Sequence, residues 1–403
     1  MKRLTILAVA LICAVMFIAP AYADDRVAIS GGFRVRAWDT KNQDFGGSDN
    51  SYFDQRLRLG TKINVADDVT VHLRADWGEG QWGNSYNGGL ITRPRKSATN
   101  TLDIDRGFVD IKKEMWSLRA GQQYMGLGVN KVLDANVPGF KFDLNFAPVV
   151  TSLLYAKIDE NGALSDEATN QDEDFYALNI NYTCDTFTGN VFVGGVNDDT
   201  DIEDSPVMAG IQGTAKLGMV NLTSELAIAT GDTAKGAVDY MGTQFYLGAD
   251  ANVSDAVNIG AELLYALGTT DADEIQFTGF SNWWTFTPMS MNTPFSGEFA
   301  ATPTQDIFDP TGDSAGVQGV TLQAKYSPMD IVSMGAKFGY FQPEEDSVTV
   351  VDDVTAFNVW ATYTLATNTQ LWITYLYSDA EVEAGAADID PQKILVTQLE
   401  IAF

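Results

Sequence analysis

From residue 27 to the last residue the chain repeats one grammar, a run of about ten positions alternating apolar and polar, then a connection, then another run. The final run, 393–403, reads KILVTQLEIAF. Leu395, Thr397, Leu399, Ile401 and Phe403 share one face, and Val396, Gln398, Glu400 and Ala402 share the other. The first run, 27–39, sets Phe33, Val35 and Ala37 against Arg34, Arg36 and Trp38. The second opposes Phe53, Leu57, Leu59 and Ile63 to Asp54, Arg56, Arg58 and Lys62, and the third opposes Val71, Leu73, Ala75 and Trp77 to His72, Arg74 and Asp76. Side chains alternate across a strand, so each run is a strand with one greasy and one wet face.

The connections alternate as regularly as the residues. Short ones fall near 66–68, 113–115, 147–148, 185–186, 218, 254–256, 328–330 and 367–368. Between them lie long ones at 40–51, 79–100, 124–138, 160–173, 198–206, 231–239, 269–315, 343–353 and 380–391. Strands of this length, joined by turns at one end and loops at the other, predict an all-β fold: an up-and-down antiparallel transmembrane β-barrel. The count is 18 strands, with 16 as the alternative if one weak hairpin is over-read. Either number leaves an aqueous lumen. Outward-facing rings support the face assignment: Trp77, Tyr265, Tyr340 and Tyr377 fall near the loop ends, and Trp116, Phe146, Tyr182, Tyr326, Tyr363 and Phe403 near the turn ends.

The first residues read differently. Lys2 and Arg3, an apolar stretch and Ala21-Tyr22-Ala23 form a secretory signal peptide over 1–23, taking Cys13 with it and leaving 24–403 as the barrel. Beyond it no apolar run is long enough for a membrane-spanning helix, so a membrane location requires a closed barrel. Cys184 is then the one cysteine, which excludes an internal disulfide or a CxxC site. The formal charge of −29 becomes −31 once Lys2 and Arg3 are removed, a balance that argues against nucleic acid as a partner. Much of the acid lies between the alternating runs, at 166–174, 198–204, 306–313 and 344–353, and reads as solvated loops without EF-hand spacing.

Catalytic chemistry finds little footing. His72 is the single histidine, and no serine elbow, phosphate loop, dinucleotide fingerprint or HExxH helix accompanies it, so neither catalytic residue nor metal ligand nor cofactor is assigned. Arginine is the positional signal. All 11 arginines occur at or before Arg119, and by parity Arg34, Arg36, Arg56, Arg58, Arg74, Arg106 and Arg119 point inward from five consecutive strands. On the lipid face each would cost about 2–4 kcal/mol near the midplane. Two readings stay open: a selectivity wall, or partners for Asp54, Asp76 and other wall acids. The segment 124–138, YMGLGVNKVLDANVP, is apolar enough to fold inward as a constriction loop, with Lys131 and Asp134 reaching the lumen. Trp38, Trp360 and Trp372 also face inward, too scattered along the chain to define a track. The connection 269–315 is long enough to plug, gate or cover the mouth, or to clasp a neighbouring subunit.

The stretch RGFVDIK at 106–112, a tight turn, and LRAGQQ at 118–123 resemble the general porins of Gram-negative bacteria. The overall style is similar to the homotrimeric porins of sulfate-reducing bacteria. The stretch after Arg106 is a residue shorter than in enteric porins, and 124–138 lacks their PEFGGD-like core. The resemblance implies a trimer of water-filled channels in the outer membrane, in contact with lipid and lipopolysaccharide, passing small hydrophilic solutes passively. It also implies that Phe403 is the signal read by the barrel assembly machinery. Alternatives are a substrate-specific 18-stranded channel and a secreted soluble β-protein acting as adhesin or lectin.

Overall fold

A computed structural model describes residues 26–43, 47–81, 103–128, 132–160, 172–198, 204–233, 238–271, 273–276 and 315–403. The alternating runs become β1 (Val27–Gln43), β2 (Ser48–Ala66), β3 (Val69–Gln81), β4 (Asp103–Lys112), β5 (Trp116–Leu127), β6 (Leu133–Phe146), β7 (Val149–Glu160), β8 (Asp172–Thr183) and β9 (Phe187–Asp198). They continue as β10 (Val207–Leu217), β11 (Val220–Thr233), β12 (Val238–Asn252) and β13 (Val257–Ala266). After the short β14 (Glu274–Gln276) come β15 (Val317–Met329), β16 (Val332–Gln342), β17 (Val351–Ala366), β18 (Thr369–Val382) and β19 (Gln392–Ala402).

Each wall strand pairs antiparallel with its neighbours in sequence, and β1 closes on β19 from Gly32↔Ala402 to Lys41↔Lys393. β14 stands apart: it runs parallel to the loop end of β12, along Asp239–Met241, above the point where pairing with β13 stops at Gln244↔Ala266. The wall is therefore a closed antiparallel barrel of 18 strands, and the count of 16 does not hold. Closure satisfies every edge, which an open sheet of this size could not do.

The faces fall as the alternation requires. Ile228 (59% exposed) and Leu322 (58%) stand on the outside, while Arg34 (2%) and Phe192 (2%) stand within. A soluble adhesin or lectin would have to bury the outer stripe, and the barrel leaves it open on strand after strand. At the seam, Phe403 exchanges backbone hydrogen bonds with Gly31 (2.7 and 3.0 Å). Its ring lies where a side chain on Gly31 would project, so glycine there gives the terminal ring its seat.

Three connections read as long are shorter than the alternation suggested. β1 and β2 pair out to Gln43↔Ser48, β11 and β12 to Thr233↔Val238, and β5 and β6 to Leu127↔Leu133. At the β1–β2 and β11–β12 tips both faces are polar and at the β5–β6 tip most residues are apolar, so the period-2 signal vanishes although the backbone ladder continues. The segment 124–138 is accordingly a hairpin tip rather than an open loop. Lys131 and the side chain of Asp134 lie outside the described residues, as does 277–314 of the connection 269–315.

Candidate functional site: the inner wall

The β5–β6 hairpin leaves the wall partway up. β4 pairs with β5 only as far as Gly107↔Gln122, and β7 pairs with β6 only as far as Gly139↔Ala156. At that level Gly121 and Gly139 face each other across the hairpin. A Cβ on Gly121 (φ +124°) would stand 2.3 Å from the Gly107 carbonyl oxygen, and one on Gly139 2.0 Å from that of Tyr155. Both neighbours press on the bend, so only glycine fits on either strand. The Gln123 amide nitrogen, fully buried, holds the bend by donating to the Gly139 carbonyl at 2.9 Å.

Beyond the bend the tip crosses the lumen. Met125, Leu127, Val132 and Leu133 are buried in one apolar cluster with Leu154, Phe175, Phe192 and Met208 from the inner faces of β7 to β10. Gly128 lies so close to β11 that a Cβ there would meet the Glu225 carboxylate at 2.4 Å. The hairpin thus fills the part of the cross-section bounded by β7–β10. Among the described residues, what stays open lies between β1–β4 and the wall from β11 round to β19.

Cross-strand register gathers the arginines on that open side. Glu400, Arg34 and Arg56 form one row across β19, β1 and β2; Gln398, Arg36 and Asp54 form the next. Arg58 faces Asp76, Arg74 faces Arg106, and Asp110 faces Arg119. The Asp54 carboxylate accepts from Arg36 Nε and Nη2 (2.8 and 2.7 Å) and from Trp38 Nε1 (3.0 Å), and the Arg36 guanidinium lies 4.9 Å over the Trp38 ring. Arg58 grips Asp76 through two bonds of 2.7 Å. Arg74 pairs with Asp105. Arg106 donates to Asn136 Oδ1 on the hairpin (2.8 Å) and lies over Tyr124 (5.1 Å). Arg119 stands 3.6 Å from Asp110 and over Phe108, whose other neighbour is the stacked ring of His72.

Of the two readings left open by the sequence, the ion pairs bear on the second. Asp54 and Asp76 do take arginine partners in forked pairs, which fix guanidinium planes better than a lysine could. Among the described side chains, the seven arginines stand in and beside rows that also hold Asp54, Asp76, Asp105, Asp110 and Glu400.

The opposite wall carries a cluster that arginine positions could not reveal. Glu262 accepts from Tyr246 (3.1 Å), Thr321 (2.7 Å) and Lys337 (2.5 Å), and Glu225 accepts from Gln244 (3.3 Å). Towards the turn end Asp250 accepts from Asn221 and Asn258 at 3.0 and 3.2 Å. Inward parity on β11, β12 and β13 was the available signal. The tryptophans correct the sequence reading as well. Trp38, Val396, Thr374 and Trp360 occupy one cross-strand row, and Trp360 and Trp372 share a buried apolar cluster against which Trp38 packs. They are scattered in sequence and adjacent in space because closure sets β1 beside β19.

Solved structures share this architecture over nearly their whole length. OpdK, an outer membrane protein from Pseudomonas aeruginosa, matches with a TM-score of 0.60 at 12% identity, over 93% of this chain and 99% of that one. OccAB1 of Acinetobacter baumannii matches at 0.60 and 14% identity (95% and 97%), and OccK8 (OprE) of Pseudomonas aeruginosa at 0.61 and 11% (94% and 98%). Neither a protein-family model nor a curated protein sequence matches the chain. At such identities the likeness is one of fold: this chain is a closed 18-stranded antiparallel β-barrel of the build seen in those proteins.

Proposed function

We propose that this chain is a Gram-negative outer-membrane channel that passes small hydrophilic solutes passively and sorts them by charge, working as a narrowed, substrate-selective pore. The observation that carries the reading is a closed barrel, greasy outside, whose inner wall gathers seven arginines along one side. In lipid every backbone polar group needs an internal partner, and a closed barrel supplies it. On β19 the ten steps from Lys393 to Phe403, at about 3.3 Å each and a tilt of about 40°, rise about 25 Å, the height of a barrel's apolar band. The shared fold with an outer membrane protein supports the same placement.

Selectivity follows from geometry and charge. The hairpin occupies the β7–β10 side, so solutes pass between the arginines and the Glu225–Glu262 wall. That transverse arrangement favours anions near the arginines and orients dipolar solutes. The narrowing favours the substrate-selective alternative over open general diffusion, and saturable flux in loaded liposomes distinguishes the two. Replacing Arg56, Arg58 and Arg74 together by glutamine is expected to move the reversal potential in a salt gradient towards cation permeability. An unchanged potential overturns the charge-sorting reading. We also propose export through the segment 1–23, insertion read from Phe403, and assembly as a homotrimer. A detergent-resistant oligomer on unheated gels tests the last, and a monomer refutes it.

A further inference from the structure

On the turn side of the arginines, one inward row holds Lys62, His72 and Phe108, one residue each from β2, β3 and β4. His72 is the single histidine of the chain. Its ring stacks on Phe108, with centroids 4.7 Å apart and planes inclined by 15°. From β5, on the other flank of β4, the Arg119 guanidinium reaches over the same phenyl ring at 4.7 Å. Phe108 thus joins a titratable ring to a permanent cation.

Charged groups face His72 from every neighbouring strand. Lys62 lies directly across on β2, Asp110 and Lys112 follow on β4, and Arg119 stands on β5. Arg74 and Arg106 occupy the next row towards the loop end, with Asp105 paired to Arg74. Asp110 lies 3.4 Å from Lys112 and 3.6 Å from Arg119.

We propose that His72 is a specificity-determining residue of the lumen: neutral, it is an aromatic neighbour of Phe108, and protonated, it is an added cation, so that acid raises the channel's preference for anions. The proposal rests on the channel reading and adds a pH control to it. Histidine ordinarily titrates near pH 6.5, carboxylates near 4 and lysine and arginine above 10, so between about pH 5.5 and 7 the imidazole is the lumen side chain whose charge changes. A π face attracts a cation, so the ring that Arg119 covers also receives the imidazolium. The new charge carries the positive wall one row beyond Arg74 and Arg106, towards the turn end of the lumen.

The experiment measures reversal potentials of the full protein in planar bilayers across that pH window, in a potassium chloride gradient centred on about 0.1 M, where screening is modest. Every protein carries Cys184→Ser, so the exposed turn thiol adds no charge. The parent is expected to gain about two- to threefold in chloride-to-potassium permeability on acidification, the effect of one unit charge across about 7 Å of water. His72→Gln, polar but without the proton site, is expected to hold the neutral value throughout. His72→Lys, charged throughout, is expected to hold the acid value. Isotope-labelled histidine gives the protein in micelles one imidazole signal, whose pH dependence reads protonation without current. Heat-modifiable gel mobility confirms that both variants are folded barrels.

A conducting parent whose permeability ratio ignores pH overturns the proposal and leaves the channel reading standing. A change that survives in His72→Gln belongs to another group and overturns it as well. An imidazole that does not titrate within the window has the same consequence. Absence of channel activity in the parent removes both readings.

Discussion

Gly121→Ala is the sharpest test of how the hairpin leaves the wall. The new Cβ would meet the Gly107 carbonyl oxygen at 2.3 Å and the Phe108 Cα at 2.9 Å. Both are backbone atoms of β4 and neither can rotate away. Pushing them back costs about 1–3 kcal/mol as overpacking. Holding alanine at φ +124° adds about 1–3 kcal/mol, so the total is about 2–6 kcal/mol. Gly218→Ala is the matched control: its φ is +65° with no atom within 4 Å of the added Cβ, which leaves a conformational penalty of about 1–2 kcal/mol alone. Urea unfolding in detergent micelles, followed by tryptophan fluorescence and by gel mobility, gives both losses. Gly121→Ala is expected to lose at least about 1 kcal/mol more than the control, with a changed single-channel current because the tip is tilted. Equal losses in the two variants would mean that β4 does not crowd the bend, and the inward course of the hairpin would lose its physical cause.

Other consequences follow from the same wall. Replacing residues 126–133 by a two-residue turn removes the part of the hairpin that packs on β7–β11, and conductance is expected to rise several-fold; an unchanged current would place the narrowest point elsewhere. Asp54→Asn leaves the buried Arg36 without its forked carboxylate and should destabilise the barrel by about 3–5 kcal/mol, read as a lower urea midpoint, with no shift if the pair is incidental. Cys184 lies exposed in the turn between β8 and β9, and a hydrogen bond from the Thr186 amide pulls its thiol below the usual value. Its thiolate therefore persists to lower pH than a free cysteine's. A maleimide on a polymer too large for the pore is expected to label it only after the outer membrane is permeabilised, and labelling in intact cells would invert the topology.

The sequence by itself determined the barrel. A period of two repeated through eighteen runs needs a surface with a greasy and a wet side, and connections alternating short and long admit little else. It also determined which side of the wall each arginine occupies, because parity and the penalty for charge in lipid agree at Arg34, Arg56 and Arg74. It could not determine how far a strand runs once the alternation stops, and so the mostly apolar β5–β6 tip read as a loop. Nor could it show neighbours brought together by closure. Trp38 and Trp360 share a row, and Glu400 joins Arg34 and Arg56, only because the first strand pairs with the last. Contacts between residues hundreds of positions apart leave no periodic trace. Only the tertiary structure decided that the hairpin bends at Gly121 and Gly139 and packs along β7–β10 as far as Glu225, away from the arginine rows.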